Sequence, residues 1–205
     1  NNLYQISLKT LGCGNLMYGK NSYDYEEGTL VFTSPGQVTV FDGEIPQNME
    51  DDKGWTLAFH SDLIRKSSLG EKINQYSFFD YEVNEALHLS EDERKTIEEL
   101  LDKIVKEYSQ NIDKHSQNLI ISNIELLLDY CTRFYDRQFY TRTNINVDFV
   151  SKFEKLLKSY YETEEVDEKG LPSVKYLAKE LNFSSNYLSD LLKKETGKTT
   201  QEHIH

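Results

Sequence analysis

A run of polar and cationic side chains in the last part of the chain has the chemistry of a surface that contacts nucleic acid. Asn186 can form two hydrogen bonds with the edge of an adenine, and Asp190 can accept one from the N4 amino group of a cytosine. Lys193 and Lys194 carry compact positive charges that suit phosphate oxygens. A solvated helix face of the same composition is the alternative. The candidate DNA-contacting residues are Ser184, Ser185, Asn186, Ser189, Asp190, Lys193 and Lys194.

Two short helices must position this run. Ser173 is a predicted N-cap for a helix over Val174–Leu181, and Ser184 is predicted to cap a second helix over Ser185–Thr196. Short helices joined by a turn of three residues form a helix-turn-helix unit, whose second helix enters the major groove. The spacing therefore predicts that the second helix is the recognition helix.

The apolar positions of this segment fit one small shared core. Ala178 is predicted at the helix crossing, where a small side chain lets the two backbones approach. Asn182 occupies the turn position that requires a positive φ, which asparagine tolerates better than most residues. A bare helical hairpin is the alternative structure. The side chains expected to meet in the core are Leu177, Leu181, Phe183, Leu188 and Leu191.

The same segment resembles a known family. Residues 171–178 and 188–198, with the Leu-Lys-Lys-Glu-Thr-Gly ending at 192–197, resemble the first half of the DNA-binding domain of AraC/XylS-type transcriptional regulators. Residues 76–81 and 133–139 are similar to the N-terminal domains attached to such regulators. The resemblance implies a cupin-like barrel, a helical dimerisation segment, and a DNA-binding domain of two helix-turn-helix units joined by a long helix.

The end of the sequence bears on how much of that domain is present. Thr199 and Glu202 form a predicted capping box, so a new helix is expected from about Thr200. The resemblance implies that this helix is the connector to a second unit, which the sequence to His205 lacks. We therefore expect promoter binding by a longer parent protein, and weak or absent DNA binding by this chain alone.

The first part of the chain carries the signals of a β structure. Short apolar runs and the turn at Ser34–Gln37 favour a sandwich or small barrel. A closed barrel needs more strands than these, and we expect the others to precede Asn1. With the resemblance, residues 1–88 are assigned to a cupin-like barrel that acts as a sensor. The runs predicted as strands are residues 3–8, 30–32, 38–41 and 55–59.

A barrel of this kind can hold a small-molecule effector in an aromatic pocket. Aromatic side chains in strands also pack as ordinary core, and that alternative stays open here. The candidate ligand-binding residues are Tyr4, Tyr18, Phe32, Trp55 and Phe59.

The period of the apolar residues changes to that of a helix after residue 89. Ser90 and Glu93 form a predicted capping box that begins an amphipathic helix. A second helix over residues 116–136 is apolar on more than one face, so it must be buried on two sides. We assign residues 89–140 to a dimerisation segment that forms a homodimer. Packing between the barrel and a neighbouring helix of the same subunit is the alternative.

A polar segment over Gln138–Asn146 indicates a domain boundary near residues 140–146. A third helix follows, with an apolar stripe from Phe149 to Tyr161, and an acidic loop over residues 163–170 comes next. Residues 146–205 are therefore assigned to the helix-turn-helix subdomain. The predicted fold class is α+β: a small cupin-like β-barrel, a helical dimerisation segment and an all-α helix-turn-helix half-domain.

Charge is the main objection to a DNA-binding role. The 205 residues include 35 acids and 23 Lys and Arg, for a net charge of −12. Lys and Arg supply most of the affinity of proteins for DNA, so an acidic chain is a poor candidate at first sight. Residues 171–205, however, carry five lysines and four acids, and the excess acid lies before them. The acidic total therefore does not exclude a DNA-binding protein.

Residues for metal binding or catalysis are sparse. Cupin enzymes place two histidines one residue apart on a strand, whereas the barrel region has His60 alone before His88. His203 and His205 lie about 200° apart around a predicted helix and cannot chelate together. We expect no enzyme activity, no metal and no cofactor. A cupin-type metal enzyme, or an interaction module without a DNA role, is the alternative.

The cysteines and the hydropathy bear on the compartment. Cys13 and Cys131 do not make a disulfide framework, and neither has a motif that activates a thiol, which suits a reducing cytoplasm. No apolar run approaches the roughly 20 residues of a membrane helix. We expect a cytoplasmic protein without a membrane partner.

Overall fold

The computed structural model describes residues 2–9, 28–37, 54–162 and 170–205. The predicted strand over residues 38–41, the candidate ligand residue Tyr18, Cys13 and all but the last residue of the acidic loop lie outside these ranges. Within them the chain is α+β, as predicted: an antiparallel sheet precedes a mostly helical part.

The four described strands form one antiparallel sheet in the order β3-β1-β2-β4. Ile6 and Leu8 of the central strand β1 are buried, because the alternate side chains of a strand point to one face. β3 and β4 are the two edges, so the strands in the described ranges do not close into the expected barrel. The strands are β1 (Leu3–Lys9), β2 (Gly28–Thr33), β3 (Trp55–His60) and β4 (Leu87–Leu89).

Short helices between β3 and β4 cover the buried face of the sheet. The rings of Phe78 and Phe79 lie 4.5 and 5.6 Å from the ring of Phe32 in β2, so they fill the core beneath the sheet. These helices are α1 (Ser61–Ile64), α2 (Ser68–Lys72) and 3-10 turns over Ile73–Gln75, Ser77–Asp80 and Val83–Glu85.

Two long helices, α3 (Glu91–Ser109) and α4 (Ser116–Thr141), pack against each other and against β4. The predicted capping box is confirmed: Ser90 Oγ accepts from the backbone N–H of Glu93, and the Glu93 side chain accepts from the backbone N–H of Ser90. Arg137 of α4 then donates to both carboxylate oxygens of Glu93, at 2.9 and 2.6 Å. We call the sheet, the short helices, α3 and α4 the N-terminal body.

The polar segment over Gln138–Asn146, where the sequence predicts a domain boundary, is almost entirely helical. α4 continues to Thr141, and only Arg142 separates it from α5 (Thr143–Tyr161). Gln138, Arg142 and Asn146 are all buried. Burial is tolerated because their polar atoms find partners; Gln138, for example, accepts from His88 N and donates to Ala86 O.

The helix-turn-helix unit agrees with the sequence prediction in each local detail. Ser173 and Ser184 cap the two helices through bonds to Tyr176 N and Tyr187 N. Asn182 has a φ of 59°, the positive value that the turn requires. The helices are α6 (Val174–Glu180), α7 (Ser185–Thr196) and α8 (Thr200–Ile204), the last begun by the predicted Thr199–Glu202 capping box.

The core of the unit also extends onto α5. Four of the predicted core side chains are buried: Leu177, Ala178, Leu188 and Leu191. Two others, Leu181 and Phe183, are partly buried and pack against this core. Phe183 meets Phe149 of α5 edge-to-face at 4.6 Å. Tyr187 and Leu192 are buried as well, which the sequence analysis did not predict. Tyr187 is covered by the rings of Tyr81 and Phe139, which belong to the N-terminal body.

Candidate nucleic-acid interface

The first residue of the candidate surface, Ser184, binds a carboxylate of the N-terminal body. Its backbone N–H and its hydroxyl donate to the two oxygens of Glu85, at 2.7 and 2.6 Å. Glu85 is buried, and its carboxylate also accepts from the backbone N–H of Glu82. Burial raises the pKa of the Glu85 carboxyl, against the opposing effect of these donors. The start of α7 is therefore fixed to the 3-10 turn that precedes β4.

Asp190, in the middle of the surface, receives two hydroxyl donors from the body. Ser77 Oγ and Tyr81 OH lie 2.5 and 2.7 Å from Asp190 Oδ2. Burial, followed by the charge of Asp190, raises the pKa of the Tyr81 phenol well above its usual value. Tyr81 thus remains a hydrogen-bond donor at any physiological pH. Asp190 Oδ2 already accepts from two hydroxyls of the body.

Two more residues of the surface meet acids of the body. Asn186 Nδ2 donates to Asp80 Oδ2 at 3.1 Å. Lys194 Nζ lies 2.6 Å from Asp136 Oδ1 of α4 in an exposed ion pair. The candidate surface is therefore bonded to α4 as well as to the segment that precedes β4.

The remaining candidates have other surroundings. Ser189 Oγ accepts from the backbone N–H of Thr200, inside the helix-turn-helix unit. Ser185 is half-buried and Lys193 is exposed. The sequence analysis expected an open face on α7, whereas four of its seven candidates (Ser184, Asn186, Asp190 and Lys194) bind the N-terminal body.

Aromatic packing supports these polar contacts. Tyr187 of α7 is buried, with its ring 5.1 Å from that of Tyr81 and 5.2 Å from that of Phe139. Arg142 donates to the Tyr187 hydroxyl at 3.3 Å. The side of α7 that faces the body is therefore anchored by an aromatic cluster with hydrogen bonds around it.

The body residues of this contact were missed by sequence reasoning. Ser77, Asp80, Tyr81 and Asp136 all lie within the two runs, 76–81 and 133–139, that the sequence analysis quoted only for their resemblance. The hydroxyls and acids in those runs could have indicated a surface that binds α7, because such groups complement a polar and cationic helix. Nothing local identifies their partner, since they are 58 to 113 residues from it in sequence.

A cavity of about 350 Å³ lies at the same contact, between the 3-10 turn Ser77–Asp80, α4 and α7. Its charged lining groups are two acids and two lysines: Asp136, Asp190, Lys193 and Lys194. Tyr76, Phe78, Tyr81, Tyr135 and Phe139 supply its aromatic walls.

The candidate ligand residues of the sheet do not line that cavity. Phe32 and Phe59 are buried in the core, and the ring of Tyr4 stacks on Phe59 at 5.4 Å. Trp55 is half-buried in β3. Phe32 and Phe59 thus belong to the core, Tyr4 and Trp55 pack against it while partly buried, and Tyr18 lies outside the described residues.

Candidate metal ligands do not cluster in the described ranges, where no group of three or more His, Cys, Asp or Glu side chains could hold an ion. His88 is buried, with Nδ1 3.1 Å from Thr29 Oγ1. Cys131 is buried, and burial raises the pKa of its thiol. None of the described helices has the length and apolar character needed to cross a membrane.

Comparison with known proteins identifies no relative. No protein-family model matches the sequence, and neither a curated protein nor a solved structure is significantly similar to it. The functional argument therefore rests on the residues and contacts of this chain.

Proposed function

We propose that this chain belongs to a DNA-binding transcriptional regulator of the AraC/XylS type, with α7 as a recognition helix. The observation that carries the proposal is the geometry of α6, the turn and α7. Two serine-capped helices flank a turn whose Asn182 has a φ of 59°, and Ala178, which the sequence predicts at their crossing, is buried. This is the arrangement in which the second helix of a helix-turn-helix unit contacts base edges.

The distribution of lysines supports the same role. Each lysine of the unit is exposed and can reach phosphate oxygens. The four acids nearby keep the net charge of residues 171–205 small, so we expect modest affinity that depends strongly on salt. The lysines are Lys175, Lys179, Lys193, Lys194 and Lys198.

Charge reversal of Lys193 tests this role. Lys193→Glu is expected to weaken binding to duplexes selected from a random pool, because a phosphate contact becomes a repulsion. Loss of one such contact lowers the slope of log affinity against log salt by about 1. Fluorescence anisotropy at several salt concentrations measures both quantities.

Lys103→Glu, at an exposed position of α3, is the matched control with the same change of charge. If the two substitutions weaken duplex binding equally, the loss comes from the change in net charge and not from a phosphate contact of Lys193. Because this chain alone is expected to bind weakly, the deciding measurement is made at low salt, where phosphate contacts are strongest. Failure of every selected duplex to bind better than random sequence there would reject the proposed function.

The N-terminal body is proposed to be the sensor and dimerisation part. Its four-stranded sheet would be one wall of a cupin-like barrel, and an effector would bind there or nearby. A regulator of promoter DNA would act in the cytoplasm. These assignments follow from the same resemblance, and the α+β order of the elements is consistent with them.

A homodimer is supported by one specific observation. Apolar side chains at the end of the α3–α4 pair are solvent-exposed: Val105 at 54%, Tyr108 at 75% and Ile112 at 77%. Leu119, in the first turns of α4, is exposed as well. An apolar patch of this kind is typical of a protein-protein interface, and a second copy of the chain would cover it.

Light scattering tests the dimer. The protein is expected to have twice the 24.0 kDa mass of one chain. The double variant Tyr108→Lys/Ile112→Lys is expected to have the mass of a single chain. Tyr140→Lys is the control, because Tyr140 is equally exposed, at 79%, but lies at the other end of α4. A mass of 24.0 kDa for the unmodified protein over a wide concentration range would contradict the proposal.

A further inference from the structure

We propose that the N-terminal body and DNA compete for the same face of α7, so that this chain is held in a closed form that cannot bind DNA. This inference rests on the proposed function and adds its regulation. In the described residues, the polar contacts of this closed interface join five residue pairs: Glu85 with Ser184, Asp80 with Asn186, Ser77 with Asp190, Tyr81 with Asp190, and Asp136 with Lys194.

The contacts of the closed interface use the groups that would bind DNA. The half-buried Asp190 carboxylate accepts from Ser77 and Tyr81 through Oδ2, so the group that would accept from a cytosine amino group is already bonded to the body. Asn186 already donates its amide N–H to Asp80. A recognition helix must lie inside the major groove, and the body occupies that space beside α7.

The charges at the closed interface are placed as a DNA backbone would place them. Glu85 accepts from the backbone N–H at the start of α7, which is where a helix of this length favours an anionic group. Asp136 pairs with Lys194, a candidate phosphate ligand. Carboxylates of the acidic body thus occupy positions that suit phosphates, which gives the excess acid of the chain a specific role.

The polar contacts of the closed interface can form and break reversibly. Lys194 and Asp136 are exposed, so their ion pair exchanges readily with solvent or phosphate. The polar contacts are hydrogen bonds and one ion pair, which water or phosphate groups can replace, and they surround the rings of Tyr81, Phe139 and Tyr187. Apparent DNA affinity would then equal the intrinsic affinity multiplied by the open fraction, and weakening the closed interface raises it.

Tyr81→Phe is the sharpest test, because it leaves α7 unchanged and keeps the ring that packs on Tyr187. It removes only the hydroxyl that donates to Asp190. A hydrogen bond to a charged acceptor contributes about tenfold to an equilibrium constant. We expect faster amide hydrogen exchange over residues 184–196 without DNA, and about tenfold tighter binding to selected duplexes.

Tyr76→Phe is the matched control. The Tyr76 hydroxyl donates to Asp129 at 2.7 Å, which is the same kind of bond, but both residues belong to the body. Ser77→Ala is a second test variant, and Ser68→Ala is its matched control. The Ser68 hydroxyl donates to Glu125, so its bond also lies inside the body. The second pair keeps the test valid if either tyrosine variant is unstable.

The outcomes separate the two proposals. Tighter duplex binding by Tyr81→Phe and Ser77→Ala, but not by their controls, supports competition at α7. If all four variants bind duplexes with equal affinity, the closed interface is overturned. The DNA-binding role then remains intact. Faster exchange in α7 with no duplex bound by any variant overturns the proposed function, and the competition with it.

Discussion

Phe153→Ala is expected to destabilise the protein by about 3–5 kcal/mol, the usual cost of deleting a buried aromatic ring. Phe153 is 0% exposed and lies in α5, the helix that supports the helix-turn-helix unit. Its ring meets His203 of α8 edge-to-face at 5.4 Å. Removal would leave a cavity between α5 and the unit, so α7 would lose its support and DNA binding would fall as well.

Chemical denaturation followed by circular dichroism measures this loss. Lys152→Ala, one residue earlier in the same helix, is the control, because Lys152 is exposed and its change should stay within about 0.5 kcal/mol. A cost for Phe153→Ala as small as that of the control would mean that the ring is not part of the core.

Gln138→Leu is expected to be nearly as costly, for a polar reason. Gln138 Oε1 accepts from the backbone N–H of His88 at 2.8 Å, and its Nε2 donates to the carbonyl of Ala86 at 3.1 Å. Leucine has a similar size but leaves both buried backbone groups unpaired, and each such group costs about 1–3 kcal/mol. The contact between α4 and β4 would weaken.

Gln117→Leu provides the control for that experiment, with the same chemical change near the start of α4. Gln117 is exposed and also donates to a backbone carbonyl, that of Leu63. Water can replace its side chain there, so a small change in the free energy of unfolding is expected. Equal losses from the two substitutions would show that burial does not set the cost.

Local signals predicted the helix-turn-helix unit correctly. The caps at Ser173 and Ser184, the positive φ of Asn182 and the capping box at Thr199 were all read from residues within four positions of one another. Interactions that short depend little on the rest of the chain. The bounds of α7, Ser185–Thr196, therefore match the prediction.

Predictions that depended on distant partners were less accurate. The polar residues Gln138 and Asn146 indicated a domain boundary, and their burial in helices was not foreseen. Their partners, His88 and Glu195, are about 50 residues away. The barrel was expected from short apolar runs, but pairing decides whether strands close, and the described strands pair as a sheet with two edges.

The sequence by itself determined which chemistry α7 carries, because side-chain type and helical spacing are local properties. It also determined that the excess of acidic over basic residues lies before residue 171. Only the tertiary structure decided whether that chemistry is available. Ser77 and Tyr81 reach Asp190 across more than 100 residues, and no pattern along the chain encodes such a meeting. The acidity that first argued against DNA binding supplies, in the folded chain, carboxylates that cover the candidate recognition helix.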